Sequence, residues 1–241
     1  MVGVDIFWWT AVLILGYMSM WYGLAMYLKR NDIADTAWGL GFVVVTLFNL
    51  IINPNLKLLI ALGLVGVWGG RLAIHIWNRN KNKKEDFRYK KFEDNPFVKV
   101  FLTQGFFMWL IAWPIMGAGR GFGIVNLLGI VVWQVGFYFE AVGDWQLKEF
   151  LKNPKNKGKV MDKGLWAYTR HPNYFGEVTM WWGIFLLTWS GNFLMVIGPL
   201  TITMLILRVS GIPMLEKKYD DNKEYQDYKK RVPAFFPWKK R

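Results

Sequence analysis

The 241-residue chain contains no cysteine. A disulfide framework, a thiolate zinc site and a cysteine nucleophile are therefore excluded. Histidine is almost as scarce: His75 and His171 are the only two, so a histidine-rich metal centre is not expected and no metal is invoked. No Gly-x-Gly-x-x-Gly fingerprint occurs, so nothing points to a Rossmann dinucleotide site. Internal repeats are also absent, and no stretch separates as a soluble domain; the chain reads as one integral membrane domain over 1–241.

What is abundant is apolar surface. With 54% hydrophobic residues, 18% aromatic residues and 15 Trp, the composition is that of a polytopic all-α membrane protein. Hydrophobic runs long enough for a bilayer lie near 5–28, 36–52, 56–77, 97–117, 123–147, 173–190 and 193–212, with a polar and aromatic tail at 213–241. Seven spans are expected. The first run ends in Leu28-Lys29-Arg30 rather than in a small-residue cleavage site, so it is expected to stay as a span.

The net charge of +13 raises the question of nucleic acid, but its distribution answers it. The first loop holds Lys29 and Arg30, the third and fifth hold seven basic residues each, and the tail holds nine. The second and fourth hold one each, Lys57 and Arg120, and the sixth none. Alternate loops are basic, as the positive-inside pattern requires for seven spans with an outside N-terminus and a cytoplasmic C-terminus. The charge is thereby explained as topology, and a nucleic-acid partner is not expected.

Chemistry concentrates between Gly164 and Thr188. Pro172 suits a first helical position, so a helix is expected to begin there. Its free N–H groups and Arg170 would form an anion site. Asn173 and Glu177 lie four apart and share a helix face, with His171 and Tyr174 beside them. The fifth span ends in Glu140, Asp144 and Lys148, also spaced by four, as one wall of a polar cavity or a helix emerging into water. Arg71 and Arg208 lie inside spans and need a carboxylate, a phosphate or a path to the interface. In the tail, Tyr225, Tyr228 and Val232 form one apolar face, suited to the bilayer or to the ends of the spans.

Four elements taken together resemble the bacterial membrane family classed as steroid 5-alpha-reductase-like, which is related to sterol reductases. They are Gly-Leu-Trp-x-Tyr-x-Arg-His-Pro-Asn-Tyr-x-Gly-Glu at 164–177, Asp35-x-x-Trp38, Glu85-Asp86-Phe87-Arg88-Tyr89, and Asp144 with Gln146. The resemblance runs from about residue 30 to the end. It implies a bacterial inner-membrane enzyme with a cofactor cavity open to the cytoplasm, reducing an activated C=C bond of a steroid-, isoprenoid- or lipid-like substrate with NADPH. On that resemblance Asn78, Arg79, Asp144, Arg170, His171, Asn173, Tyr174 and Arg208 hold the cofactor, and Asp35 and Glu177 are catalytic. The family's acid in the second span and Tyr in the third have no direct match: Asp35 is the stand-in for the acid, and Trp68, Arg71 and His75 stand where the Tyr would be. Arg170-His171-Pro172 with Leu215-Glu216 and Tyr225 to Pro233 also resembles the isoprenylcysteine carboxyl and phospholipid methyltransferases. There Arg170 or His171 would meet the carboxylate of S-adenosylmethionine, and Glu216 its ribose or amino group. A lipid-binding protein without catalysis is the third alternative.

Overall fold

The computed structural model describes residues 5–85, 89, 92 and 94–238. Every regular element among the described residues is helical. Asp86, Phe87 and Arg88 of the mixed-charge motif lie outside the described residues. The chain divides into two compact units, one of 1–126 with 187–198 and one of 127–186 with 199–241.

In the first unit α1 (Asp5–Leu28), α2 (Ile33–Ile52) and α3 (Leu56–Asn80) are long apolar helices. Asn55 sets the start of α3, its side chain accepting the backbone N–H of Leu58 at 3.0 Å, which satisfies one of the amides a helix start leaves free. Between α2 and α3 the backbones approach at Gly39 and Gly69: a Cβ on Gly69 would stand 2.4 Å from the Gly39 carbonyl oxygen. Such close approach is how small residues let membrane helices pack, and Phe42 and Trp68 bury their rings beside it at 5.8 Å. The fourth helix, α4 (Phe97–Ile111), opens with a wide π turn over Phe97–Leu102. It stops at Ala112, and a separate turn, Trp113–Met116, follows with Pro114 near its start. A proline there removes a ladder hydrogen bond and breaks the run.

Lys57, the lone basic residue of the second loop, is 3% exposed and donates to the Trp189 carbonyl. Asn126 Nδ2 donates to Leu187 O at 2.9 Å, and Gly119 N donates to Thr188 O at 3.3 Å. All three close off carbonyls at the end of the helix that stops at Thr188. Lys57 thus caps a helix end.

The second unit contains most of α5 (Ile124–Lys152) and α6 (Pro172–Thr188), followed by the stretch Phe193–Lys217 from residue 199 onward. That stretch, α7, changes from α-helix to a π turn over Leu205–Val209 and is interrupted at Ser210 and Gly211 before Ile212–Lys217. The tail helix is α8 (Lys223–Arg231). α6 begins at Pro172, as the sequence pattern requires. Gly136, Gly143, Gly176 and Gly183 form the α5–α6 contact, and a Cβ on Gly176 would stand 2.5 Å from the backbone of Gly136 and Glu140. Gly176→Ala is expected to cost about 1–3 kcal/mol through this overpacking. Gly16→Ala, on a face of α1 with nothing within 4 Å, should not. Melting temperatures of the two variants in one detergent check the contrast.

Among the described residues, five helices are long and apolar enough to cross a membrane: Asp5–Leu28, Ile33–Ile52, Leu56–Asn80, Ile124–Lys152 and Phe193–Lys217. The other two expected spans are helical but shorter. Phe97–Ile111 ends at the break before Pro114, and α6 has 17 residues, about 26 Å against a hydrocarbon core of about 30 Å. Tyr225, Tyr228 and Val232 form a buried cluster with Val160 and Tyr219. Their apolar face packs on the protein's own loop.

Candidate functional site

The turn that enters α6 is built around Gly164, whose φ of +62° is left-handed and therefore suited to glycine. A Cβ there would also meet the Gln146 amide at 2.4 Å. Gln146 Oε1 accepts from Leu165 N at 3.0 Å, and Trp166 Nε1 donates to Gly143 O at 3.1 Å. α5 thus fixes the turn from one side.

The tail fixes it from the other. Arg170 N donates to Pro233 O at 2.9 Å, Thr169 Oγ1 to Ala234 O at 3.2 Å, and Trp238 N to Tyr168 O at 2.9 Å. Tyr228 gives its hydroxyl proton to Trp166 O. Residues 232–238 thus run as a strap along the turn, with Phe235 buried and Phe236 and Trp238 exposed.

Under the strap, Arg170, His171 and Glu216 form one buried cluster. Arg170 Nε donates to Glu216 Oε1 at 2.8 Å, and its NH1 donates to the carbonyls of Lys229 and Val232. Lys229 Nζ lies 3.3 Å from Glu216 Oε2. His171 Nε2 lies 3.0 Å from Glu216 Oε1, and its ring stacks on Tyr174 at 5.5 Å. His171 is 1% exposed. Lys229 and the carbonyls of 232–234 carried no signal in the sequence, because a cation in a basic tail and a backbone oxygen look like any other.

Burial holds the His171 imidazole below its ordinary value near 6.5, partly opposed by Glu216 and reinforced by Arg170. At neutral pH the ring is uncharged. A carboxylate can only accept, so the neutral ring meets Glu216 with Nε2–H and leaves Nδ1 as a bare acceptor. Nδ1 is buried and has no hydrogen-bond partner among the described residues. The depressed value also sets a pH dependence. Below about pH 6.5 the unfolded chain takes up a proton that the folded chain refuses, so stability falls as pH drops through that window. Melting temperatures from pH 7.5 to 5.5 should show the decline, and His171→Gln should remove its part of it.

Asn173 Nδ2 donates to Asp144 Oδ1 at 3.2 Å, so these two expected cofactor residues meet across α5 and α6. Glu177 lies half-buried one turn further along α6. Arg208 is exposed within the π turn of α7. Asn78 and Arg79 end α3 in the first unit and are exposed, with Arg79 Nε donating to Asn80 Oδ1 at 3.1 Å.

The first unit supplies the second group of interest. Tyr89 is 6% exposed; its hydroxyl donates to Asp35 Oδ1 at 2.5 Å and accepts from Gln104 Nε2 at 3.5 Å. Asp35 sits in the first turn of α2. A phenol paired with a carboxyl is a proton-donating unit. The resemblance puts the family's Tyr in the third span, where Trp68, Arg71 and His75 stand; the phenol that meets Asp35 is Tyr89, the last residue of Glu85 to Tyr89. Only that motif's aromatic end, in a loop otherwise charged, could have pointed to it.

A family model described as "Protein of unknown function (DUF1295)" matches residues 21–232. The chain belongs to that family. Among curated proteins, a probable O-methyltransferase, ustE, of Ustilaginoidea virens is 43% identical over 53 residues, covering 22% of this chain and 18% of that protein. The 3-oxo-5-alpha-steroid 4-dehydrogenase 1 of Mus musculus is 34% identical over 64 residues, 27% of this chain and 25% of that protein, and that of Rattus norvegicus matches to the same extent. The chain thus spans about a quarter or less of the length of these relatives. No solved structure matches it. This DUF1295 protein has several apolar helices long enough to cross a membrane, and short stretches of it are similar to 3-oxo-5-alpha-steroid 4-dehydrogenases and to a probable O-methyltransferase.

Proposed function

We propose that this protein is a membrane-embedded, NADPH-dependent reductase of an activated C=C bond in a lipophilic substrate. The observation that carries the proposal is the Tyr89–Asp35 hydrogen bond. Reducing an enone needs a group that protonates or polarises the carbonyl oxygen; methyl transfer to a carboxylate or amine does not. The likeness to the steroid dehydrogenases supports the same reaction class.

The second unit fits the cofactor chemically. His171 Nδ1 is a buried acceptor without a partner among the described residues, and NADPH offers N–H donors on its carboxamide and adenine. Six lysines between Lys148 and Lys163 suit its phosphates. Asn173, Asp144, Tyr174 and Glu177 would orient it, and Arg170 and Glu216 would hold the strap and the His171 tautomer. When bound, NADPH supplies the hydride that adds to the β-carbon. Tyr89 would turn its hydroxyl from Asp35 to the carbonyl oxygen and give up its proton as charge builds there, leaving an enol and a phenolate that takes a proton back from solvent. The enol then becomes the ketone as its O–H proton is lost to solvent and the α-carbon takes one up, so one hydride and one solvent proton convert C=C to CH–CH. Purified protein should bind NADPH saturably, and Asn173→Ala and Glu177→Ala should each weaken that binding; unchanged affinity in both variants would remove these residues from the site.

One observation favours a second reading. The likeness to an O-methyltransferase, together with the Arg170–His171–Glu216 cluster, suits S-adenosylmethionine, whose amino group would donate to His171 Nδ1. On this reading Asp35→Ala leaves cofactor binding intact.

A further inference from the structure

In the first unit, the ends of α1, α2 and α3 enclose a cavity of about 210 Å³. One wall is apolar, made by Leu28, Ile33 and Trp77; the other is made by Arg30, Asn80 and Lys81. Leu28 and Trp77 are 38% and 48% exposed, in the last turns of long apolar helices, where a helix leaves hydrocarbon for the headgroup layer.

The polar wall is rigid and offers donors. Arg30 grips Asp32 with Nε at 3.0 Å and NH2 at 2.8 Å, and its NH2 also donates to the Asn80 carbonyl at 3.1 Å. The Asn80 side-chain oxygen is taken by Arg79. Asn80 Nδ2 is then a buried donor with no partner among the described residues, and an unmade hydrogen bond of this kind is costly. Asp32 already balances Arg30, so Lys81 leaves the lining with a net positive charge. An acceptor-rich anion with an apolar stem answers all of these features. The volume is below the roughly 300–1,000 Å³ of pockets that enclose a whole small-molecule ligand, so the cavity suits one end of a larger molecule.

We propose that this cavity binds the phosphate of an anionic membrane lipid, with the ester oxygens at Asn80 Nδ2 and Lys81 and the glycerol and acyl stem along Leu28, Ile33 and Trp77. The assignment does not depend on the reaction the protein catalyses. The test uses the full-length protein in a neutral detergent and follows binding by native mass spectrometry and melting temperature. The probes are short-chain phosphatidylglycerol, phosphatidylcholine of the same chains, glycerol 3-phosphate and NADP⁺.

Phosphatidylglycerol should be retained and should raise the melting temperature above the effect of the other three. Lys81→Glu should weaken its binding about fivefold or more. Asn80→Asp, which keeps the shape and replaces the donor with an acceptor, should do the same. Lys81 is exposed, so its variant remains informative if Asn80→Asp fails to fold. Retention of phosphatidylglycerol unchanged in Lys81→Glu would overturn the proposal, as would equal retention of phosphatidylcholine. Displacement of the lipid by NADP⁺ or glycerol 3-phosphate would assign the cavity to soluble phosphates instead.

Discussion

Tyr89→Phe is expected to lower turnover of an enone substrate by about 10²–10⁴-fold, the usual worth of a positioned acid, with the affinity for NADPH unchanged. The substitution removes one oxygen atom and the hydrogen bond to Asp35 and leaves the ring in place. On the proposed reaction the lost phenol would meet the carbonyl oxygen as negative charge develops, so its removal would act on kcat rather than on cofactor binding. Asp35→Asn should show a loss of the same order, and the double variant should lose little more than either single one, because the two act as a unit. Rates are read from NADPH oxidation at saturating cofactor. Full turnover in Tyr89→Phe would exclude the pair from the chemistry. A melting temperature close to that of the parent protein would confirm that the loss is chemical.

Glu216→Ala carries the largest expected effect on stability, about 3–5 kcal/mol. Arg170 is 8% exposed and meets Glu216 at 2.8 Å. Removing the carboxylate strands a buried guanidinium, and stranding one member of a buried pair costs far more than the intact pair contributes. His171 Nε2–H would also lose its acceptor, and Lys229 its counter-ion. Because Arg170 ties down Lys229 and Val232 through their carbonyls, the loss should reach the strap over 232–238. A drop in melting temperature together with faster proteolysis after Lys229 is the expected pattern. Glu216→Gln, which keeps an acceptor for both neighbours, should lose less. Equal and small effects in the two variants would mean that the cluster is not what holds the tail.

Local signals were the readable part of this chain. The first helix follows its hydrophobic run over residues 5–28, and Pro172 opens α6 because a proline fixes a helix start by its own geometry. The spacing of Asn173 and Glu177 on one face of α6 is likewise local, whereas the Asn173–Asp144 hydrogen bond joins two helices and has no local pattern behind it. Long-range pairings were not readable. Tyr89 meets Asp35 across 54 positions, and Lys57 reaches the Trp189 carbonyl across 132; neither has a local pattern that names its partner. Lys57 counts among the loop charges in the sequence, and nothing local names the carbonyl it caps. The tail shows the same limit. Its Tyr225–Tyr228–Val232 face is plain from the period, but whether lipid or protein covers it depends on the loop around Val160.

The measurement that bears most directly on the proposed chemistry is the identity of the nucleotide carried through purification, read by mass spectrometry of the released ligand and followed by titration. The expected result is NADP⁺ or NADPH, with saturable NADPH binding that falls on Asn173→Ala. Recovery of S-adenosylmethionine or S-adenosylhomocysteine, with no response to NADPH, would contradict it and assign the Arg170–His171–Glu216 cluster to methyl transfer.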